Sequence, residues 1–138
     1  MRLAVLSDVH GNAVALDAVL ADIVTQSVDA TLCLGDHVSG PMDPAGVAER
    51  LMTLDGPMIA GNHDRWVVEP RQSGQGTVDR FAAEQLSEVQ HKWLAALPAT
   101  AVFNNEISFV TAPRPVTSRI GSMAGILAVL LFCPTKSG

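Results

Sequence analysis

Cysteine is scarce in this chain. Only Cys33 and Cys133 occur among its 138 residues. They make no paired spacing of the kind that holds zinc or runs redox chemistry. Both lie in apolar runs, so they read as small buried hydrophobes in a reduced, cytoplasmic setting. A long apolar span is missing as well. The longest, Ala124 to Cys133, is broken by Gly125 and is too short to cross a bilayer, which predicts no membrane partner. Met1-Arg2 runs straight into a strand-like stretch, with no leader pattern. Basic excess is also missing: nine Lys and Arg face 14 Asp and Glu, for a net charge of −5. This excludes the basic face of a duplex nucleic-acid binder. It leaves phosphate compounds open, provided bound metal supplies the positive charge. Repeats and low-complexity tracts are absent. A further absence is positional. Residues 107–138 hold no Asp, Glu or His, so charge runs from −8 before that point to +3 after it. The switch sets off 113–138 from a domain at 1–112: either this apolar tail is a basic element with its own role, or it is not the fold's original end.

What is present reads as one α/β domain, 48% hydrophobic and able to fill a core. "RLAVLS" (2–7) and "DATLCLG" (29–35) are short apolar runs, read as buried strands. Between them, residues 12–26 carry Val14, Leu16, Val19, Leu20, Ile23 and Val24 at helical spacing, with Asn12 as cap. Asp43 as cap and Pro44 at the first helical position start a second helix, running to about Leu54. "GPMIAGN" (56–62) reads as a third strand, completing β-α-β-α-β with parallel strands and right-handed crossovers. Residues 65–77 read as loop. Helices follow over 78–86 and 88–97, the second with Ser87 and Gln90 as a capping box. Residues 100–111 predict a hairpin turning at Asn104-Asn105.

All three strand ends carry polar residues: Asp8 and His10, then Gly35-Asp36, then Gly61-Asn62-His63-Asp64. Carboxyl ends of parallel strands converge on one edge, where ligands bind. Carboxylates, an imidazole and an amide oxygen, without thiolate, suit Mn²⁺, Fe²⁺ or Zn²⁺. Gly35 and Gly61 let the backbone turn sharply and approach closely. Each residue alone has a plainer role. Asp8 can cap a helix, His10 can be structural, and Asp36 and Asn62 are ordinary turn residues. Asp64 can orient His63 or cap the following turn. His37 reads as loop and His91 as solvated. The joint pattern is what favours a site.

D-x-H, G-D and G-N-H-D at this spacing resemble the calcineurin-like metallophosphoesterase superfamily over about residues 1–110. "GDHVSGP" lacks the V-D-R-G continuation of the protein serine/threonine phosphatases. "SDVHGN" is closer to the prokaryotic phosphodiesterase-like branch. The resemblance implies an α/β/β/α sandwich, of which this chain holds the βαβαβ half and an incomplete second sheet. It implies two divalent metals, with Asp8 and His10 on the first, Asp36 bridging and Asn62 on the second. His63 would be the general acid or charge stabiliser. The implied reaction is hydrolysis of a phosphomonoester or phosphodiester, on a small molecule or nucleotide, by metal-activated water. The family's later histidines have no counterpart, since Thr111 stands where one is expected and none follows His91. The expectation is therefore a weak second metal site in a C-terminally incomplete, truncated or frame-shifted hydrolase. The alternatives are a non-catalytic metal-binding or scaffolding remnant, and a complete enzyme with an unusual ligand set.

Overall fold

The computed structural model describes residues 1–69, 76–104, 107–110 and 127–132. Strand β1 (Arg2–Ser7) leads into helix α1 (Ala13–Thr25) and strand β2 (Ala30–Cys33), which pairs parallel with β1, Leu3 beside Ala30 and Leu6 beside Cys33. Asn12 caps α1 as its side-chain oxygen accepts the Ala15 N–H at 3.0 Å. Helix α2 (Pro44–Leu51) starts at Asp43, whose carboxylate accepts the Gly46 N–H at 2.9 Å. Pro44 opens the helix, where its missing N–H costs nothing.

The third strand is reduced to a bridge. Met58 pairs with Cys33 in parallel at that one point. The Cys33 N–H reaches the Pro57 carbonyl at 3.0 Å, and the Ile59 N–H reaches the Cys33 carbonyl at 2.9 Å. Pro57 has no N–H to extend the ladder, and the Ala60 N–H turns to the Pro98 carbonyl. Residues 62–68, read in part as loop, form helix α3 (Asn62–Val68). Helices α4 (Thr77–Gln85) and α5 (Glu88–Ala96) follow, with Ser87 and Gln90 capping α5 reciprocally. His91, read as solvated, packs its Nε2 against the Ala83 carbonyl at 2.8 Å. Strands β3 (Thr100–Phe103) and β4 (Ile107–Val110) make the expected antiparallel hairpin. The Asn105 half of its turn, residues 70–75, Thr111, and the tail over 113–126 and 133–138 including Cys133 lie outside the described residues.

Within the tail, Leu127–Phe132 is strand β5, antiparallel to β1 from Arg2 beside Phe132 to Ser7 beside Leu127. The main sheet therefore runs β2-β1-β5, with β3-β4 as a second small sheet. The fold is α/β, and the described residues form part of the implied sandwich. Both faces of β1 are covered, which is why it reads as an unbroken apolar run. Leu3, Val5 and Leu32 pack together with Phe103, while Leu6, Val9, Leu16, Val47 and Leu51 pack beneath the helices. Full burial of such side chains contributes roughly 1.5–3 kcal/mol each before the entropy of ordering them. Cys33 belongs to this core, and burial pushes its thiol up to about 12, which leaves it inert. No helix among the described residues is long and apolar enough to cross a membrane.

Candidate metal centre

The loops that leave β1 and β2 continue to pair beyond the strands. The Asp8 N–H reaches the Gly35 carbonyl at 3.1 Å, His10 reaches Asp36 at 2.9 Å, and Gly11 reaches His37 at 3.0 Å. This clips residues 8–11 against 35–37. It holds Asp8, His10 and Asp36 in left-handed backbone, at φ of 59°, 49° and 55°. Such values are uncommon outside glycine and cluster where geometry serves a function. Gly35, at φ 106°, and Gly61 make the crossing possible, because a Cβ on Gly35 would meet the Gly61 backbone and one on Gly61 would meet Asp36.

The three side chains converge. Each offers one donor atom, and the three donors lie within 4.8 Å of one another. His10 Nε2 stands 3.7 Å from Asp8 Oδ1 and 4.0 Å from Asp36 Oδ2. Donors each roughly 2.1 Å from one ion lie up to about 4.2 Å apart, so two carboxylates and an imidazole fit one divalent cation after a small adjustment. The imidazole is set for this. Its Nδ1–H donates to the Ser39 carbonyl at 2.7 Å, which leaves the Nε2 lone pair facing the carboxylates. Ser7 donates its hydroxyl to Asp8 Oδ2 at 2.6 Å and orients that carboxylate. Asp36 is the deepest of the three. Burial and then the charge of nearby Asp64 push its carboxyl above the usual range.

Asn62 begins α3, half-buried beside this centre in sequence. His63 donates its backbone N–H to Asp36 Oδ1 at 3.0 Å, and its ring stands edge-on to His10 with centroids 5.3 Å apart. Asp64 does not orient His63. Fully buried, it accepts the N–H of Asp36 and of Gly61 at 2.8 Å each and that of His37 at 2.9 Å. It is both cap for α3 and clamp between two loops. His37 is interior rather than loop surface: its Nε2–H donates to the Ile59 carbonyl at 3.1 Å beside Trp93.

Ser39 and Asp79 are the residues that sequence reading missed. The His63 Nδ1–H donates to Asp79 Oδ1 at 2.9 Å, and the Ser39 hydroxyl donates to the same oxygen. Nothing local in "TVDRF" marks Asp79 as part of a site. Its position in the first turn of α4, next to Gly76, reads as ordinary helix-start chemistry.

Residues 1–135 match the family model described as calcineurin-like phosphoesterase. An uncharacterized protein of Methanocaldococcus jannaschii is 37% identical over 79 residues, 57% of this chain and 30% of that protein. A metallophosphoesterase crystal structure from Sphaerobacter thermophilus is similar with a TM-score of 0.62 and 29% identity, over 75% of this chain and 44% of that one. A candidate diadenosine tetraphosphatase structure has a TM-score of 0.57 and 26% identity, over 72% of this chain and 44% of that one. The chain thus spans less than half the length of each of these relatives.

Proposed function

This chain belongs to the calcineurin-like phosphoesterase family, and we propose that its site hydrolyses a phosphomonoester or phosphodiester with a divalent cation held by Asp8, His10 and Asp36. The observation that carries this reading is the convergence of those three donors from two clipped loops in left-handed backbone. A divalent ion held there would supply positive charge against phosphate oxygens and lower the pKa of water. The chain's own residues do the rest. Asp8 and His10 would hold the first ion, Asp36, with two carboxylate oxygens, would serve both ions, and Asn62 would hold the second. Asn62 offers a neutral oxygen, which limits the negative charge met by an anionic substrate. His63 keeps its Nδ1 on Asp79 and leaves Nε2 for the scissile group, as general acid or as stabiliser of developing charge. With its side chain 31% exposed, the ring is open to an incoming ester.

Manganese is the proposed metal, since carboxylate, imidazole and amide oxygen donors without thiolate suit it. The proposed substrate is a small phosphate ester or nucleotide. The similarity to a candidate diadenosine tetraphosphatase supports the nucleotide class. A second reading, metal binding without turnover, draws on the single three-ligand group among the described residues. The test pairs metal analysis of the purified protein with turnover of a generic aryl phosphodiester in Mn²⁺. Bound metal with turnover that Asp8→Ala abolishes is the expected result. Bound metal without turnover of any phosphate ester or nucleotide selects the second reading.

A further inference from the structure

We infer that Asp79 is the positioning residue for His63, and that Ser39 ties this pair to the His10 side of the metal centre. Asp79 is 2% exposed. A carboxylate removed from water to that degree requires donors in compensation. Its Oδ1 has two, the ring of His63 from the first turn of α3 and the hydroxyl of Ser39 from the loop after β2. Ser39 is equally buried and faces both ways. Its hydroxyl donates to Asp79 while its carbonyl accepts the Nδ1–H of His10. Ser39 therefore links the two imidazoles: its carbonyl keeps the His10 proton on Nδ1, and its hydroxyl holds the Asp79 carboxylate that keeps the His63 proton there. In both rings Nε2 is left for chemistry.

The ring of His63 is also restricted sideways. Trp66 stands edge-on to it at 4.7 Å between centroids and His10 at 5.3 Å, with interplanar angles of 73° and 78°. Packing limits rotation, while the polar atoms at Nδ1 are the Asp79 carboxylate at 2.9 Å and, farther off at 3.4 Å, the Ser39 hydroxyl, which itself donates to Asp79. Asp79 therefore sets the tautomer. A neutral imidazole without such a partner prefers the proton on Nε2, which would present the substrate with the wrong pattern. Asp79 reaches the site from α4, 16 positions beyond His63, so the orientation of the acid depends on how α4 seats against α3.

The kinetic part of this inference rests on the phosphoester reading of the site, and the tautomer part does not. Nitrogen-15 correlation spectra of imidazole-labelled protein, with the rings neutral, read the tautomer directly. The native protein is expected to show His63 with its proton on Nδ1, and Asp79→Ala to move it to Nε2. Asp79→Asn keeps one acceptor oxygen and is expected to preserve the native tautomer, which guards against a fold-level effect of the alanine variant. Where turnover is measurable, Asp79→Ala is expected to lower kcat roughly 10–100-fold, the scale of lost outer-shell partners. KM and Mn²⁺ affinity should change less than about threefold, and Asp79→Asn should recover part of the loss. A His63 tautomer unchanged in a folded Asp79→Ala protein overturns the inference. So does a native His63 carrying its proton on Nε2. Turnover that is indifferent to His63→Ala while the tautomer follows Asp79 overturns the proposed role of His63 and leaves the positioning intact.

Discussion

Asp36 carries two opposed requirements. As the proposed metal ligand it must be ionised, yet burial and the charge of Asp64 hold its carboxyl above the usual range. The folded protein therefore binds that proton more tightly than the unfolded chain. The stability this group contributes is present below its unfolded pKa and lost as pH rises through its folded pKa. Where Asp36 is ionised and no metal is bound, its charge is a burden. Asp36→Asn is therefore expected to raise the midpoint of thermal unfolding at pH 7 in chelator, with the gain shrinking toward pH 4. Asn suits the left-handed backbone at this position. The same variant is expected to lose Mn²⁺ affinity by more than the roughly 10–100-fold of outer-shell changes, and by more than His10→Ala. Scanning calorimetry and titration calorimetry check the two halves. An equal or smaller loss than His10→Ala counts against the bridging role. His63→Ala is expected to leave first-metal affinity unchanged while lowering turnover about 10²–10⁴-fold. Falling metal content with unchanged turnover per bound ion reverses that assignment. Asp8, His10 and Asp36 were legible in the sequence because ligand chemistry at successive strand ends is a local pattern. Asp79 was not legible, because its meaning depends on α4 folding back over the site.

Helix α3 is where the sequence reading and the structure differ most among the early elements. Its seven residues give little periodicity, and its start is encoded in a single carboxylate. Asp64 accepts three backbone N–H groups from two loops, and all three are oriented by it. Asp64→Ala leaves buried donors unmatched at about 1–3 kcal/mol each, which is a large part of a typical domain's stability. The expected outcome is loss of cooperative unfolding or a collapse of the denaturation midpoint, measured in urea by circular dichroism. A midpoint near that of the native protein would show that water replaces the clamp. Gly61→Ala is expected to be costly at the same joint, because the added methyl meets the Asp36 carboxylate. The capped helices α1, α2 and α5 were legible from their first turns, since caps are local chemistry. Strand β5 was not. Its apolar run carries no polar alternation, and its pairing is a choice made by the exposed edge of β1.

The architecture places β1 between its nearest partner in sequence and its most distant one. Residues 1–112, proposed as a domain, contain α1 to α5 and each of the proposed ligands, Asp8, His10, Asp36 and Asn62. A chain ending at residue 112 is therefore expected to keep Mn²⁺ binding while gaining self-association, because the β1 edge that β5 covers becomes free to pair between molecules. Sedimentation velocity and titration calorimetry on the shortened chain test this together, and a monomer that still binds metal would show the edge needs no cover. The same pairing has a consequence during synthesis on the ribosome. β2 is available to β1 after 33 residues, but Phe132, the partner of Arg2, is made last of the paired residues. At roughly 5–20 residues per second, one edge of the first strand waits on the order of 6–25 seconds for its neighbour. Toward the end of that interval the nascent chain presents β1, β2 and α1 to α5 with one edge of β1 still open. Crowded polysomes, where several such edges wait side by side, are the place where this protein is most exposed to misassembly.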